Sequence, residues 1–279
     1  MLVRHRLIVL TAVVALFTAA CGAGGGPAAT VSPTQTSPAP STAVRFEVWF
    51  GYGEFLFVTQ RTRTPTLLLA TAAVRALLTG PAAEERAAGV GTSIPEGTEL
   101  LGLSIAGGVA TANLTGSYES GGGSLSMFSR LAQLTYTLTQ FPAVRGVNLK
   151  LDGRPVRVFS GEGIILDRPM TRRSFRALLP PILVRNPSIG QQVSSPIRVS
   201  GTAEVFEAVV NITILDAQGH EIVSATTPAT CGTGCRGAYA KAVAYRVDRT
   251  QLGTVRVYES SPRNGEPINV VDIPVVLTG

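Results

Sequence analysis

The spacing of apolar residues changes twice along this chain, and these changes constrain its fold more than any other feature. Residues 22–43 are rich in Gly, Ala, Pro, Ser and Thr and carry no charge. From Val44 to Phe159, alternating apolar residues occur in pairs of short stretches, interrupted by two stretches of helical spacing. From Ile182 onward only short alternating stretches remain. The pattern therefore predicts a mixed α+β domain and an all-β domain behind a disordered linker.

The N-terminal segment predicts export. Arg4-His5-Arg6 precedes an apolar run over residues 7–17, and Thr18-Ala19-Ala20 leads into Cys21. This is the pattern of a signal peptide, which we expect at residues 1–20. Small residues before a Cys resemble the bacterial lipobox, which implies a palmitate-type lipid on Cys21 and a linker at residues 21–43. The alternatives are an ordinary signal peptide or an uncleaved anchor, for which a run of eleven residues is short.

Composition excludes several classes of protein. The chain has 24 Lys and Arg against 18 Asp and Glu, a net charge of +6, and loss of Arg4 and Arg6 with the signal would leave +4. That charge is too small for a nucleic-acid-binding protein. Hydrophobic residues make up 45% of the chain and charged residues 15%, which is typical of folded domains. The excess of Arg over Lys, with abundant Ala, Gly and Val, is consistent with the GC-rich genome of an actinobacterium.

The two cysteines outside the N-terminal segment predict a local disulfide. Gly-Thr-Gly separates Cys231 from Cys235, and these glycines allow the backbone to close a small ring. The alternatives are a redox pair or half of a metal site. A redox pair usually has two intervening residues, and zinc would need further ligands, for which the chain after Cys21 offers only His220. We expect no metal and no cofactor.

The first domain is predicted at residues 44–160. Phe46, Val48 and Phe50 alternate with polar neighbours and Trp49, which indicates a half-buried strand, and a second strand follows at 55–61. A helix is predicted to open at Thr64-Pro65, with an apolar face that begins at Leu67 and Leu68. We interpret Glu84, Glu85 and Arg86 as a solvent-exposed face.

The same order of elements then repeats. A hairpin is predicted over 100–114, a helix over 125–141 and a last hairpin over 147–159, around the Asp152-Gly153 turn. One stripe of the helix is apolar and should be buried; it contains Leu125, Phe128, Leu131, Thr135 and Leu138. The order ββα-ββα-ββ predicts an α+β domain with two helices packed on a sheet.

The second domain is predicted at residues 181–279, after a connector at 161–180. Seven short strands without helical spacing indicate an immunoglobulin-like β-sandwich. They are expected at 182–185, 197–201, 208–215, 221–225, 238–247, 254–259 and 268–276. Pro274 should place the last strand at a sheet edge.

Several motifs carry a family resemblance. From Val44 to Ser160 the chain resembles the GerMN domain of sporulation and germination proteins. The motifs are Leu77-Leu78-Thr79-Gly80-Pro81, Ile94-Pro95-Glu96-Gly97-Thr98, Ala112-Asn113-Leu114 and Leu134-Thr135-Tyr136-Thr137-Leu138-Thr139-Gln140-Phe141-Pro142. The later part resembles the Gmad-type immunoglobulin-like domain of germination proteins, through Asn186-Pro187, Val199-Ser200-Gly201-Thr202-Ala203 and Ile273-Pro274-Val275-Val276-Leu277. The first family has no agreed catalytic residues, so the resemblance transfers no site.

Candidate sites are few. The chain contains no Ser-x-x-Lys or Gly-x-Ser-x-Gly pattern, and His220 follows Gln218-Gly219, where an exposed turn is expected. We expect no catalytic residue. We interpret Gly121-Gly122-Gly123-Ser124 as a flexible helix entry with Ser124 as its N-cap. The candidate ligand contacts are Trp49 and Tyr52, aromatic residues around the first turn whose alternative use is core packing. Arg172 and Arg173 are two further candidates; they are among four connector arginines, with Arg168 and Arg176, that could instead bridge the domains as ordinary exposed charges.

These observations favour a non-enzymatic lipoprotein on the outer face of the cell membrane, acting as a binding or scaffolding module. Its expected partners are the membrane, through the lipid, and peptidoglycan or an envelope protein, with no nucleic acid. An accessory or sensory subunit of a membrane kinase or transport complex is an alternative. A wall hydrolase is a weaker alternative.

Overall fold

The computed structural model describes residues 43–279. The predicted signal peptide, Cys21 and nearly all of the linker lie outside the described residues. All of the described residues belong to one compact unit. No helix among the described residues has both the length and the hydropathy needed to cross a membrane.

The first domain begins with a β-hairpin. Strands β1 (Val44–Tyr52) and β2 (Phe55–Arg63) pair antiparallel over their full length, with Val44 opposite Arg63 and Tyr52 opposite Phe55. Gly53 makes the turn with a φ of 57°, a conformation that glycine adopts without steric cost. The hairpin is a separate two-stranded sheet.

Two helices follow the hairpin. Helix α1 spans Leu69–Thr79 and the short helix α2 spans Ala83–Ala87. The prediction that the first helix opens at Thr64-Pro65 is wrong by about one turn, because residues 64–68 form a loop. Leu67 and Leu68, which were expected on the buried face, are therefore exposed.

The rest of the first domain forms a second sheet. Its strands are β3 (Leu100–Ala106), β4 (Val109–Leu114), β5 (Gly146–Leu151) and β6 (Arg154–Pro155). The order is β3-β4-β5-β6, and β4 and β5 are parallel because helix α3 (Ser124–Leu138) connects them. The expected single sheet is therefore two sheets. Of the predicted helix stripe, Leu131, Thr135 and Leu138 are buried, but Leu125 and Phe128 are exposed at the start of the helix.

The segment at 161–180, predicted as a connector, packs against the first domain. Strands β7 (Val158–Phe159) and β8 (Ile164–Ile165) pair with each other. Met170 is buried and exchanges two backbone hydrogen bonds with Val147 of β5. A 3₁₀ helix at Arg172–Leu178 buries Phe175.

The second domain is an all-β sandwich. The strands are β9 (Ile182–Asn186), β10 (Gln192–Ser194), β11 (Ile197–Ala203), β12 (Val209–Leu215), β13 (Glu221–Pro228), β14 (Gly237–Val243), β15 (Gln251–Ser260) and β16 (Pro267–Thr278). One sheet has the order β10-β16-β15-β12-β13 and the other β14-β11-β9. The seven predicted strands are all present, and the additional strand is β10. The prediction that Pro274 places the last strand at a sheet edge is wrong, because β16 lies between β10 and β15. Pro274 is accommodated because β10 pairs with β16 only from Val276 onward, which leaves a strand partner on one side at Pro274.

Buried residues of both domains belong to one continuous apolar cluster, which extends from Phe46 to Leu277. Strand β2 of the hairpin lies against β9 of the sandwich. The hairpin therefore contacts helices α1 and α3 of its own domain and strand β9 of the second domain.

Candidate functional site

The two faces of strand β1 have different neighbours. Side chains alternate along a strand, so Phe46, Val48 and Phe50 share the face toward α1 and α2, and all three are buried. Glu47 and Trp49 share the opposite face, toward the second domain. The free edge of β1 is covered by α3, because Thr137 Oγ1 accepts a hydrogen bond from the Trp49 N–H at 3.1 Å. The strand is therefore enclosed on three sides.

A groove lies where the hairpin, the end of α3 and strand β9 meet. Its volume is about 550 Å³. It is lined by Arg45, Phe46, Glu47, Gln60, Thr139, Gln140, Arg172 and Arg185, and we call it the arginine groove. Three arginines and one glutamate give this lining a net charge of +2. Arg45 comes from strand β1 of the first domain, Arg185 from strand β9 of the second domain, and Arg172 from the segment between them.

Arg172 is held rigidly in this groove. Its Nε donates to Thr139 Oγ1 at 2.9 Å and its Nη2 donates to the carbonyl oxygen of Tyr136 at 3.1 Å. In return, the Tyr136 hydroxyl donates to the carbonyl oxygen of Arg172 at 3.1 Å. Burial lowers the pKa of Arg172, and Glu47 opposes this shift, but an arginine remains charged at physiological pH. The guanidinium therefore has a fixed position beside the last turn of α3.

Arg185 and Glu47 join the two domains at the groove. Arg185 Nη1 lies 2.6 Å from Glu47 Oε1, across a sequence separation of 138 residues. Gln60 Nε2 donates to the carbonyl oxygen of Arg185 at 2.9 Å. The Nε of Arg185 is buried without a hydrogen-bond partner among the described residues. Arg45, in contrast, is exposed at the start of β1.

The prediction of Trp49 as a surface ligand contact is wrong. Its side chain is 0% exposed. The ring packs against the Tyr136 ring with centroids 4.7 Å apart, and its Nε1 donates to Glu47 Oε2 at 3.1 Å. The guanidinium groups of Arg172 and Arg185 lie 5.3 Å and 5.7 Å from the Trp49 ring centroid. Trp49 therefore stabilises Arg172 and Arg185 by cation–π contacts. Because its side chain is buried, it cannot contact a ligand directly.

The other two predicted contacts lie elsewhere. Tyr52 is half-exposed near the tip of the hairpin and lines a smaller apolar groove of about 130 Å³ with Phe55, Pro180, Pro181 and other residues. Arg173 is exposed and does not line the arginine groove. The structure thus brings Trp49 and Arg172 together and separates them from Tyr52 and Arg173.

The interpretation of Glu85 as solvent-exposed is wrong, because its side chain is buried beneath the hairpin. Arg61 donates to both carboxylate oxygens at 2.7 Å, Thr59 donates to Oε1, and the Ala82 N–H donates to Oε2 at 2.7 Å. Burial raises the pKa of Glu85, but the hydrogen bonds from Arg61, Thr59 and Ala82 and the charge of Arg61 lower it more, so the pKa lies below its usual value. This ion pair fastens α2 to β2.

The glycine-rich loop is not a loose helix entry. Arg130 on α3 is buried, and it donates to the carbonyl oxygens of Tyr118, Ser120 and Gly121 at 2.7 to 3.0 Å. Gly123 is the N-cap of α3, where Ser124 was expected. The pattern of glycines indicated a turn, but no local signal identified Arg130 as its support.

The remaining predicted features lie in the second domain. Cys231 and Cys235 form a disulfide in the loop between β13 and β14, with Cα atoms 5.8 Å apart. His220 lies at the exposed turn before β13, beside Asp216. Within residues 43–279, no three His, Cys, Asp or Glu side chains cluster closely enough to hold a metal ion.

Taken together, the described residues define a two-domain protein with an α+β domain and an immunoglobulin-like sandwich. Residues 53–157 match the family described as sporulation and spore germination, and residues 181–266 match the immunoglobulin-like domain of bacterial spore germination. The chain therefore contains a GerMN-like domain followed by a Gmad2 immunoglobulin-like domain, as the motifs predicted. No curated protein matched the sequence.

Solved structures similar to this chain include three with related descriptions. The first GerMN domain of the sporulation protein GerM from Bacillus subtilis is 19% identical, covers 47% of this chain and 98% of its own, and has a TM-score of 0.41. The tandem GerMN domains of the same protein are 12% identical, with coverages of 85% and 61% and a TM-score of 0.42. A candidate lipoprotein from Clostridium perfringens is 18% identical, with coverages of 49% and 93% and a TM-score of 0.36.

Proposed function

We propose that this chain is a non-enzymatic envelope lipoprotein that binds an anionic polymer of the cell wall. The observation that carries the proposal is the arginine groove, in which three guanidinium groups converge from both domains and the segment between them. Guanidinium groups bind carboxylates and phosphates through paired charge-assisted hydrogen bonds. A carboxylate or phosphate group on the polymer is the chemistry that this groove fits.

The groove is preorganised for such a ligand. Thr139 and the Tyr136 carbonyl fix Arg172, and Glu47 fixes Arg185. A ligand therefore binds without paying for the ordering of these two long side chains. Arg45 is exposed and can move onto the ligand from the rim. Because both domains contribute, loss of their packing would also remove the site.

The proposed location in the cell envelope rests on the N-terminal sequence and on the descriptions of the two matched families. The signal peptide, the lipid on Cys21 and the linker remain predictions, and they support a protein held outside the cytoplasmic membrane. The descriptions of both families name spore germination, so a role in germination is part of the proposal where the organism forms spores.

The test is co-sedimentation of residues 43–279 with purified peptidoglycan that retains its anionic polymers. The variants are Arg45→Gln and Arg172→Gln in the groove, with Arg173→Gln as the matched control outside it. We expect each groove variant to bind about fivefold more weakly, since one charge-assisted hydrogen bond is worth ~1 kcal/mol at a partly open site. The Arg173→Gln variant should bind like the unmodified protein.

Chemical removal of the anionic polymers from the wall provides a second arm. Binding should fall when the polymers are extracted and should weaken between 0.05 M and 0.3 M salt, because the groove is open to solvent and its charges are screened. Absence of sedimentation at low salt, or equal binding by all three variants, would refute the proposal. In that case crosslinking in the membrane would test a kinase, transporter or other envelope protein as the partner.

A further inference from the structure

The loop between β2 and α1 presents two adjacent leucines to solvent. The side chain of Leu67 is 105% exposed and that of Leu68 is 66% exposed. Isolated exposed leucines are ordinary on protein surfaces. Leu67 and Leu68 are the last two residues of the loop, directly before α1, and they form an apolar surface that the other described residues leave uncovered.

Local chemistry keeps the leucines on the loop. The Leu68 N–H donates to Thr66 Oγ1 at 3.2 Å, whereas in a helix that began at Pro65 it would donate to the carbonyl oxygen of Thr64. Helix α1 therefore begins only at Leu69. If the helix had begun at Pro65, as the sequence pattern predicted, the two leucines would have become part of its buried face.

The leucine loop lies beside the point where the chain enters the fold. Val44, the first residue of β1, pairs with Arg63, the last residue of β2. Cα atoms of paired residues are about 5 Å apart. Leu67 follows Arg63 by four residues, so the leucines and the N-terminal end of β1 are at the same end of the hairpin. The exposed side chains of Arg45 and Arg63 are also there.

We propose that Leu67 and Leu68 insert into the interfacial layer of an anionic lipid bilayer while Arg45 and Arg63 contact its phosphate headgroups. Exposed apolar side chains with basic neighbours have the composition of a membrane-surface contact. This inference rests on the proposed function in one respect, because the predicted anchor at Cys21 keeps the loop close to a membrane. The anchor supplies a high effective concentration, so a contact of two leucines is sufficient.

The contact would orient the protein. The predicted lipid and linker by themselves would not fix the direction of the folded domains relative to the membrane. Insertion of the loop fixes one end of the hairpin at the surface. Arg45 is also part of the lining of the arginine groove, so the groove would then be held near the membrane, with Arg172 and Arg185 left for the polymer.

The test uses residues 43–279, which contain the whole described apolar core, with an N-terminal histidine tag that tethers them to vesicles carrying a nickel-chelating lipid. Leu68→Trp places a fluorophore at the loop. Leu252→Trp is the matched control, since Leu252 is 68% exposed on the second domain. On vesicles containing phosphatidylglycerol, brominated lipids should quench the Leu68→Trp emission by at least a third and leave that of Leu252→Trp unchanged. Trp49 contributes the same background to both.

A second measurement determines how strongly the protein without the histidine tag partitions into vesicles. The double variant Leu67→Ser/Leu68→Ser should partition into phosphatidylglycerol vesicles at least tenfold more weakly than the unmodified protein, and Leu252→Ser should not differ from it. Unquenched Leu68→Trp emission on tethered protein would overturn the proposal. Equal quenching on neutral vesicles would overturn the part assigned to Arg45 and Arg63. Because the tag replaces the natural anchor and no wall is present, a failure here is distinct from a failure of lipidation or of polymer binding.

Discussion

Replacement of Glu85 by Gln is the sharpest test of how the hairpin is held to the helices. The substitution keeps the shape of the side chain but removes its charge. Arg61 donates to both carboxylate oxygens, so whichever way the glutamine amide is turned, one N–H group of Arg61 must face the amide NH₂ group. The change therefore removes an ion pair and introduces a donor facing a donor.

The expected loss of stability is about 2–3 kcal/mol. Removal of one partner from a buried ion pair costs roughly 3–5 kcal/mol, because the other charge stays buried without compensation. The side chain of Glu85 is 4% exposed but that of Arg61 is 26% exposed, so water can reach the orphaned guanidinium and reduce the cost. The double variant Arg61→Met/Glu85→Gln should lose less than the sum of its two single variants.

The effect should depend on pH. The folded-state pKa of Glu85 is below its unfolded value of about 4.5, so its contribution to stability is complete above that value. As the pH falls below about 4.5 and passes through the folded-state pKa, the unmodified protein loses this contribution. The glutamine variant has no such group to protonate. The difference in free energy of unfolding between the unmodified protein and Glu85→Gln should therefore become smaller in acid.

Equilibrium unfolding in urea measures these quantities, with Trp49 as the reporter because it is the sole tryptophan and is buried. The matched control is Glu84→Gln, which changes the exposed neighbour on the same helix and should alter the free energy of unfolding by less than about 0.5 kcal/mol. If Glu85→Gln and Glu84→Gln were equally stable at pH 7, the ion pair would not have the structural role argued for it.

Three other substitutions can be measured in the same assay. Arg130→Met should cost about 3 kcal/mol, since it leaves three loop carbonyls without their donor, and a loss below 1 kcal/mol would contradict that support of the glycine-rich loop. The variant Cys231→Ser/Cys235→Ser should lose about 2 kcal/mol, and dithiothreitol should lower the unmodified protein to the same level and leave the variant unaffected. Gly201→Ala should destabilise by more than about 2 kcal/mol, because its Cβ would collide with the Leu183 carbonyl oxygen; an unfolding midpoint equal to that of the unmodified protein would refute this.

The sequence determined the features that depend on neighbours along the chain. Strand alternation and turn residues identified the first two hairpins and the strands of the second domain, because a period of two and a Gly in a turn are local properties. The last hairpin was identified only in part, since Val158–Phe159 pairs with Ile164–Ile165 instead of β5. The two family resemblances followed from short motifs in order. The pairing of Cys231 with Cys235 followed from their spacing, since three intervening residues allow only a small ring.

Helix α1 shows where local reasoning reached its limit. Thr64-Pro65 is a good helix start by composition, yet the helix begins at Leu69. Burial of an apolar face depends on what lies opposite it, and the structure places no buried partner at Leu67 or Leu68. The loop and its candidate membrane contact are consequences of that packing.

The sequence indicated Arg172 of the candidate site, and the tertiary structure decided the rest of it. Trp49 was predicted on a polar face, and it is buried because the second domain and the residues around Arg172 cover that face. Arg185 reaches Glu47 across 138 residues of sequence, and no local pattern encodes such a pairing. Glu85 is buried for the same reason, because its partners Thr59 and Arg61 lie on strand β2, more than twenty residues earlier in the chain. A charged residue at the surface of an isolated helix becomes part of the interior only when another element packs over it, and that is a property of the whole fold.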